Sequence, residues 1–143
     1  MMDPQELVST LKSQHRTLQA DLALATEDAK SDTESKGVSI LSSLTKFKND
    51  LVEHLKLEND VFYPDYLEKK IKKGEDISST KEFIRQMDDI GKVVMGFLDK
   101  YKTPEAINTA ISDYKKELFN IVGTLNIRIE TEEEGVFDLY LLL

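Results

Sequence analysis

Apolar residues recur every three or four positions through most of the chain, and this spacing constrains the fold more than any other feature. It is the period of an α-helix that buries one face. The first such stretch places Leu7, Leu11, Leu18, Leu22 and Ala25 on one face. Three prolines and six glycines in 143 residues leave few places where helices can end. The pattern therefore predicts long amphipathic helices with short joints.

Four helices are predicted from this spacing and from the turn-forming residues between them. The first begins at Asp3-Pro4, and the second runs from about residue 38 to residue 71, where Pro64 is expected to kink or interrupt it. The third carries apolar positions from Phe83 to Tyr101. The fourth begins at Pro104 after a Thr103 cap and runs towards residues 134–135.

The polar stretches 27–37 and 72–80 are expected to be joints. Four amphipathic helices with short joints make an all-α, up-down-up-down four-helix bundle. A length of 143 residues suits a single domain, so we expect one domain over residues 1–143. The apolar tail VFDLYLLL is expected to pack on the bundle, with a contact to another subunit as the alternative.

Composition narrows the classes of function. There is no cysteine, which excludes disulfides and thiolate metal sites. A formal net charge of -8 argues against a nucleic-acid partner, because binding the phosphate backbone requires clustered Lys and Arg. No apolar run is long enough to span a bilayer, and the first residues are too polar for a secretory signal, so we expect no membrane association and a cytoplasmic location.

Several ionisable residues continue the apolar stripes instead of facing away from them. His15 lies on the first stripe, His54 and Glu58 on the second, and Arg128 on the fourth, which then reaches the acidic run 130–134. A buried charge without a partner costs several kcal/mol, so such groups are tolerated when they are paired or bound to metal. Residues four apart stack one helical turn above each other, so His54 and Glu58 can offer a nitrogen and an oxygen to one ion.

Each of these residues also has an ordinary role. A His and a Glu four apart are more often a solvated pair, and a lone His on an apolar stripe is more often a core residue bonded to a carbonyl. Arg128 can extend its charged end to solvent, and an acidic run usually ends a helix in water. Because both histidines of the chain lie on core stripes, the pattern as a whole favours a polar centre.

Three motifs resemble the hemerythrin-like (HHE cation-binding) domain family over nearly the whole chain. HLKLENDVFYP resembles the family's His-x-x-x-Glu followed by an aromatic residue and a proline, and QHRTL resembles its first-helix histidine motif. RIETEEEGVF at 128–137 resembles the last-helix motif, in which a carboxylate follows a histidine by five residues. The resemblance implies a bundle that holds two oxygen-bridged irons. It assigns His15 and His54 to one iron, and Glu58 and Glu133 to the bridging carboxylates.

The second iron of the family lacks its ligands in this sequence. Phe83, Met87 and Arg128 stand where the resemblance implies three histidines, and none of them is a usual iron ligand. We therefore expect a degenerate site with metal ligands His15, His54, Glu58 and Glu133. Which glutamate of the last helix is the ligand stays open, because Glu132 follows the apolar stripe and Glu133 follows the family spacing. Arg128 is expected to pair with the two carboxylates in place of a second cation.

Two functions follow from this reading. The first is a metal-binding domain with a reduced, mononuclear, iron-type site and a sensing or binding role, in which iron, another divalent cation or no ion is bound. The alternative is a metal-free bundle with an Arg-carboxylate core that acts as an interaction module. An enzyme, such as an iron-dependent oxidase, has the least support, because the chain has no nucleophile–base set and no phosphate-binding loop. The sequence does not identify a protein partner.

Overall fold

The computed structural model describes residues 2–30 and 36–143, and within those ranges every regular element is a helix. We number the α-helices in chain order and name the two π-helical turns separately. The elements are α1 (Pro4–Ala29), α2 (Lys36–Leu57), the first π turn (Glu58–Phe62), α3 (Tyr63–Lys72), α4 (Ser78–Lys100), α5 (Pro104–Thr109), α6 (Ile111–Thr131), the second π turn (Glu132–Val136) and α7 (Phe137–Leu142).

Four helical rods form an up-down-up-down bundle, which confirms the predicted fold class. The first and third rods are α1 and α4, the second is α2, the first π turn and α3, and the fourth is α6, the second π turn and α7. The second rod runs unbroken from Lys36 to Lys72, close to the predicted bounds. Pro64 does not interrupt it, because the π turn comes just before it and Pro64 lies in the first turn of α3, where a missing N–H is tolerated.

The joints differ from the predictions at two places. Thr103 caps the next helix as expected, since its Oγ1 accepts from the Ala106 N–H at 3.1 Å. That helix is only the short α5, however, because the backbone at Ala110 leaves the helical region, at φ -122° and ψ 42°. The predicted joint 27–37 overlaps the end of α1 and the start of α2, and its residues 31–35 lie outside the described ranges.

The apolar interior consists of two clusters along the bundle axis. The larger cluster is rich in aliphatic side chains from α1, α2, α4 and α6, and ends in the aromatic group Phe97, Tyr101 and Tyr114. The smaller cluster joins the start of α1 to aromatic residues of the two distal segments; its members include Leu7, Leu11, Phe62, Tyr63, Tyr66, Phe137 and Tyr140. The tail therefore packs on the bundle through Phe137 and Tyr140. Among the described residues, no helix is long and apolar enough to cross a membrane.

Candidate metal centre

A layer of buried ionisable side chains lies at the level where the rods pass from one apolar cluster to the other. His15, His54, Glu58 and Glu132 are each at most 3% exposed. One nitrogen or oxygen from each residue lies within 4.8 Å of those of the other three. The His15 and His54 rings face each other with centroids 4.7 Å apart. Three different rods thus bring two nitrogens and two oxygens together in a volume that is closed to solvent.

The two carboxylates occupy equivalent positions in their rods. Glu58 is the first residue of the first π turn, and Glu132 is the first residue of the second. Single π turns inside α-helices occur often at functional sites, because the extra residue redirects side chains while the helix continues. His54 lies four residues before Glu58, and Arg128 lies four residues before Glu132. Each of these rods therefore carries a basic residue one helical turn before its carboxylate.

Hydrogen bonds on the outer edges fix the orientation of both imidazoles. The Nδ1 atom of His15 donates to Oε2 of Glu133 over 2.7 Å, and Nδ1 of His54 donates to Oε1 of Gln14 over 2.7 Å. A carboxylate oxygen and an amide oxygen only accept hydrogen bonds, so each ring carries a proton on Nδ1. Each Nε2 then presents its lone pair to the interior of the layer. This arrangement is characteristic of metal-ligating histidines, whose other nitrogen donates to an outer acceptor.

The inner edges of the rings face the carboxylates at equal distances. Nε2 of His15 lies 3.3 Å from Oε1 of Glu132, and Nε2 of His54 lies 3.3 Å from Oε2 of Glu58. Within the described part of the chain, Nε2 of His15 and Oε2 of Glu58 are fully buried and lack a hydrogen-bond partner. Buried polar atoms are normally satisfied, and two orphaned acceptors that face one volume match the donor set of a cation site.

The charge state of the layer follows from its burial. Burial lowers the pKa of His54 to about 4, with a further contribution from His15, so this ring is neutral at neutral pH. Burial, and then the neighbouring Glu132, raise the pKa of Glu58 well above its usual range. Burial would raise the pKa of Glu132 as well, but its contacts with His15 and Glu58, the hydrogen bond from Tyr63 and the charge of Arg128 lower it to about 2. Glu58 therefore holds a proton more readily than Glu132 does.

Arg128 is buried beside the layer but is not paired as the sequence predicted. Its Nη1 donates to the Phe83 carbonyl over 2.7 Å, its Nη2 lies 3.4 Å from the Tyr63 hydroxyl, and its guanidinium carbon lies 3.2 Å from the centre of the Phe83 ring. Across residues 2–30 and 36–143, no ion pair within 4.0 Å joins Arg128 to Glu58, Glu132 or Glu133. The expected direct pairing is therefore wrong, because the Phe83 carbonyl and ring hold the guanidinium towards α4.

The structure separates the roles of the two adjacent glutamates. Glu132 faces the interior of the layer and belongs to the cluster, whereas Glu133 lies outside it, against the outer edge of His15 and in an ion pair with Arg16. The apolar stripe of the fourth helix pointed to Glu132, and the family spacing pointed to Glu133. Of the expected ligands, the structure thus brings together His15, His54 and Glu58, and it places Glu132 where Glu133 was expected.

Sequence reasoning missed two residues that contact the centre. Gln14 holds His54 from outside, and Tyr63 donates from its hydroxyl to Oε2 of Glu132 over 2.5 Å. Both lie within the quoted motifs, since Gln14 is the first residue of QHRTL and Tyr63 directly precedes the proline of HLKLENDVFYP. Their positions off the apolar stripes gave no signal that they would contact residues on another rod.

A small cavity lies inside the layer. Its volume is about 20 Å³, and it is lined by His15, His54, Glu58 and Glu132 together with Met87, Arg128 and the apolar residues Leu18, Leu22, Leu51, Leu125 and Ile129. This is the size that one water or one ion requires. The α4 side of the cavity is formed by Met87, so α4 contributes a thioether where the other rods contribute nitrogen or oxygen.

Comparison with known protein families gives a match that covers most of the chain. The family model of the hemerythrin HHE cation-binding domain matches residues 6–140. The matched range includes every residue of the buried cluster and both outer acceptors. Searches of curated proteins and of solved structures returned no match.

Proposed function

Because the chain belongs to the hemerythrin HHE cation-binding domain family, we propose that it binds one divalent cation within the buried layer. The ligands proposed are Nε2 of His15, Nε2 of His54, and a carboxylate oxygen from each of Glu58 and Glu132. The observation that carries the proposal is the shared orientation of the two rings. Each is anchored at Nδ1 by an outer acceptor, so that its free nitrogen faces the other three ligand atoms.

A mononuclear site is proposed instead of a pair of metals for two reasons. The cavity of about 20 Å³ has room for one ion, and the α4 side supplies Met87 and the Phe83-bound Arg128 where further ligands would be needed. Two nitrogens and two oxygens suit iron, manganese or zinc, and we propose iron. Bound iron would supply a one-electron redox couple and an exchangeable coordination position.

The residues of this chain prepare the site in distinct ways. Glu133 and Gln14 hold the His15 and His54 rings in the tautomer that can bind a cation. Glu58 holds a proton in the metal-free protein and releases it when a cation takes its place. Tyr63 orients Glu132 through a short hydrogen bond, and the surrounding leucines exclude water. The proposed role of such a domain is sensing or binding.

The metal-free interaction module remains the second proposal, and the charge balance favours it. With a proton on Glu58, the negative charge of Glu132 is offset by the nearby charge of Arg128, so the layer is close to neutral without any cation. In this form the core depends on Arg128 acting through Tyr63 instead of through a direct carboxylate pair.

Metal analysis of the purified protein distinguishes the two proposals. The protein is isolated without chelator, and the chelator-treated protein is titrated with iron(II), manganese(II) and zinc(II). One ion per chain, lost in a His15→Ala/His54→Ala double variant, supports the cation site. No stoichiometric ion after each titration, together with a melting temperature that chelator leaves unchanged, refutes it and supports the metal-free module.

A further inference from the structure

The cavity is separated from the protein surface on the α4 side by a wall that is one side chain thick. Met87, only 7% exposed, lines the cavity on its inner side. The same residue lines a surface groove between the second rod and α4. Tyr63 lies in the wall of this groove as well, and its hydroxyl contacts Glu132.

The groove is apolar within and polar at its rim. It encloses about 480 Å³, and its apolar walls come from Leu55, Leu67, Ile84 and Met95. The polar lining residues Asn59, Arg85 and Asp88 are solvent-exposed. Between the rim and the cavity, a charged species would lose its hydration without gaining a partner, at a cost of several kcal/mol.

Met87 is suited to move out of the wall. Methionine is unbranched and has three rotatable bonds, so it changes conformation at low cost. In a helix, the side chain four residues further along covers the preceding turn. Four residues after Met87 the chain has Gly91, which has no side chain. A Cβ atom built at Gly91 would meet only Leu55, at 4.0 Å. On the groove side, the Met87 side chain is therefore not covered by the next turn of its own helix.

The other approaches to the ligands are held by polar contacts. The outer edge of His15 is covered by Glu133 and Arg16, which form an ion pair, and the outer edge of His54 is covered by Gln14. The α4 side has no such contact in front of Met87 in the part of the chain that the structure describes. A ligand that approaches through the groove breaks no hydrogen bond of the histidines.

We propose that Met87 is a specificity-determining residue that admits small uncharged molecules, of one or two non-hydrogen atoms, from the groove to the exchangeable position of the bound cation. The inference rests on the proposed cation site. The size limit follows from the cavity of about 20 Å³, and the selection against charge follows from the apolar walls. Met87 acts on the rate of entry and is not a ligand.

Nitric oxide is a suitable probe, because it is uncharged, diatomic and gives an optical signal with iron(II). Iron stoichiometry is measured first, and nitric oxide association is then followed by stopped-flow absorbance. Met87→Ala is expected to raise the association rate about tenfold and Met87→Phe to lower it, with iron affinity unchanged. Met95→Ala and Leu67→Ala enlarge only the groove, so neither should change the rate more than about twofold. An unchanged rate in Met87→Ala, or an equal rise in either control, overturns the proposal.

The entry route can be tested independently of the cation. In chelator-treated protein, dissolved dioxygen enhances the relaxation of nearby methyl protons, and the cavity methyl groups of Leu51 report its arrival. If Met87 controls entry, the relaxation of the Leu51 methyl protons should be enhanced more in Met87→Ala than in Leu125→Ala or Met95→Ala. If no iron is bound, the proposed function fails and this measurement alone decides the role of Met87. Equal enhancement of relaxation in Met87→Ala and Leu125→Ala overturns the proposed role of Met87.

Discussion

His15 is held between two consecutive glutamates. Oε2 of Glu133 accepts from its Nδ1 at 2.7 Å, and Oε1 of Glu132 lies 3.3 Å from its Nε2. Adjacent residues of one helix reach opposite edges of the same ring because the second π turn begins at Glu132. Glu132 thus lies beside the inner nitrogen of the ring, while Glu133 contacts its outer nitrogen.

Replacing the outer glutamate should weaken cation binding without changing its stoichiometry. Glu133→Leu is expected to reduce affinity by roughly 10–100-fold, the usual effect of losing the outer partner of a ligating histidine. Glu132→Leu should reduce affinity further, since it removes a ligand. Glu134→Leu, at an exposed neighbouring position, is the control. Calorimetric titration measures all three, and a smaller loss in Glu132→Leu than in Glu133→Leu would exchange the roles assigned to the two residues.

Removal of the Tyr63 hydroxyl should change both stability and cation affinity, whereas removal of a comparable hydroxyl elsewhere should change stability alone. The chain offers a matched control, because Tyr63 donates to Glu132 over 2.5 Å and Tyr140 donates to Asp65 over 2.6 Å, remote from the centre. Each Tyr→Phe change is expected to lower the free energy of unfolding by about 1 kcal/mol, the net value of one such hydrogen bond. Only Tyr63→Phe should also alter cation affinity. If both variants changed affinity equally, the effect would be one of global stability.

Arg128→Met keeps most of the buried stem and removes the charge. In chelator, it should lower the free energy of unfolding by roughly 1–3 kcal/mol, because the Phe83 carbonyl and the Tyr63 hydroxyl lose a buried partner. The same change should strengthen binding of a divalent cation, because a like charge nearby costs on the order of 1–4 kcal/mol. Urea unfolding and metal titration measure the two effects, with the exposed Arg85→Met as control. Weaker cation binding in Arg128→Met would show that the guanidinium supports the site.

Cation binding should strengthen as pH rises. The raised pKa of Glu58 means that this group holds a proton well above its ordinary pKa of 4.5, and a cation must displace that proton. His54, with its pKa lowered to about 4, is already neutral and does not compete above about pH 5. Affinity should therefore rise up to the pKa of Glu58 and then level off.

Titration calorimetry below the pKa of Glu58, in buffers of different ionisation enthalpy, should show release of about one proton per ion. A Glu58→Gln variant should bind weakly and release none. Absence of proton release from the unchanged protein would mean that Glu58 is ionised before the cation arrives.

The apolar spacing was sufficient to predict the four rods and to place all four clustered residues on core-facing stripes. His15, His54 and Glu58 lie on helical stripes, and a stripe that faces the core of a bundle must bring its members towards the axis. The same rule pointed to Glu132. The family spacing pointed one residue further, and only the backbone geometry of the second π turn distinguishes the two positions.

The direction taken by Arg128 could not be predicted from the sequence. Its stripe position indicates burial, but two kinds of acceptor were available, a carboxylate or a main-chain oxygen exposed on a neighbouring rod. The Phe83 carbonyl and ring together provide a hydrogen bond and a cation–π contact, which the sequence pattern does not contain. The single domain, the cytoplasmic location and the absence of a nucleic-acid partner stay predictions.

The division of the interior into an aliphatic and an aromatic cluster has a consequence for how the molecule melts. The layer between them is tied to the smaller cluster by the hydrogen bond from Tyr63 to Glu132, which lasts only while that cluster is in place. Local opening of the aromatic end would hydrate that layer while the aliphatic end persists. A bound ion would link the two clusters. Its occupancy would therefore decide whether thermal unfolding is one cooperative transition or whether the two clusters unfold in separate steps.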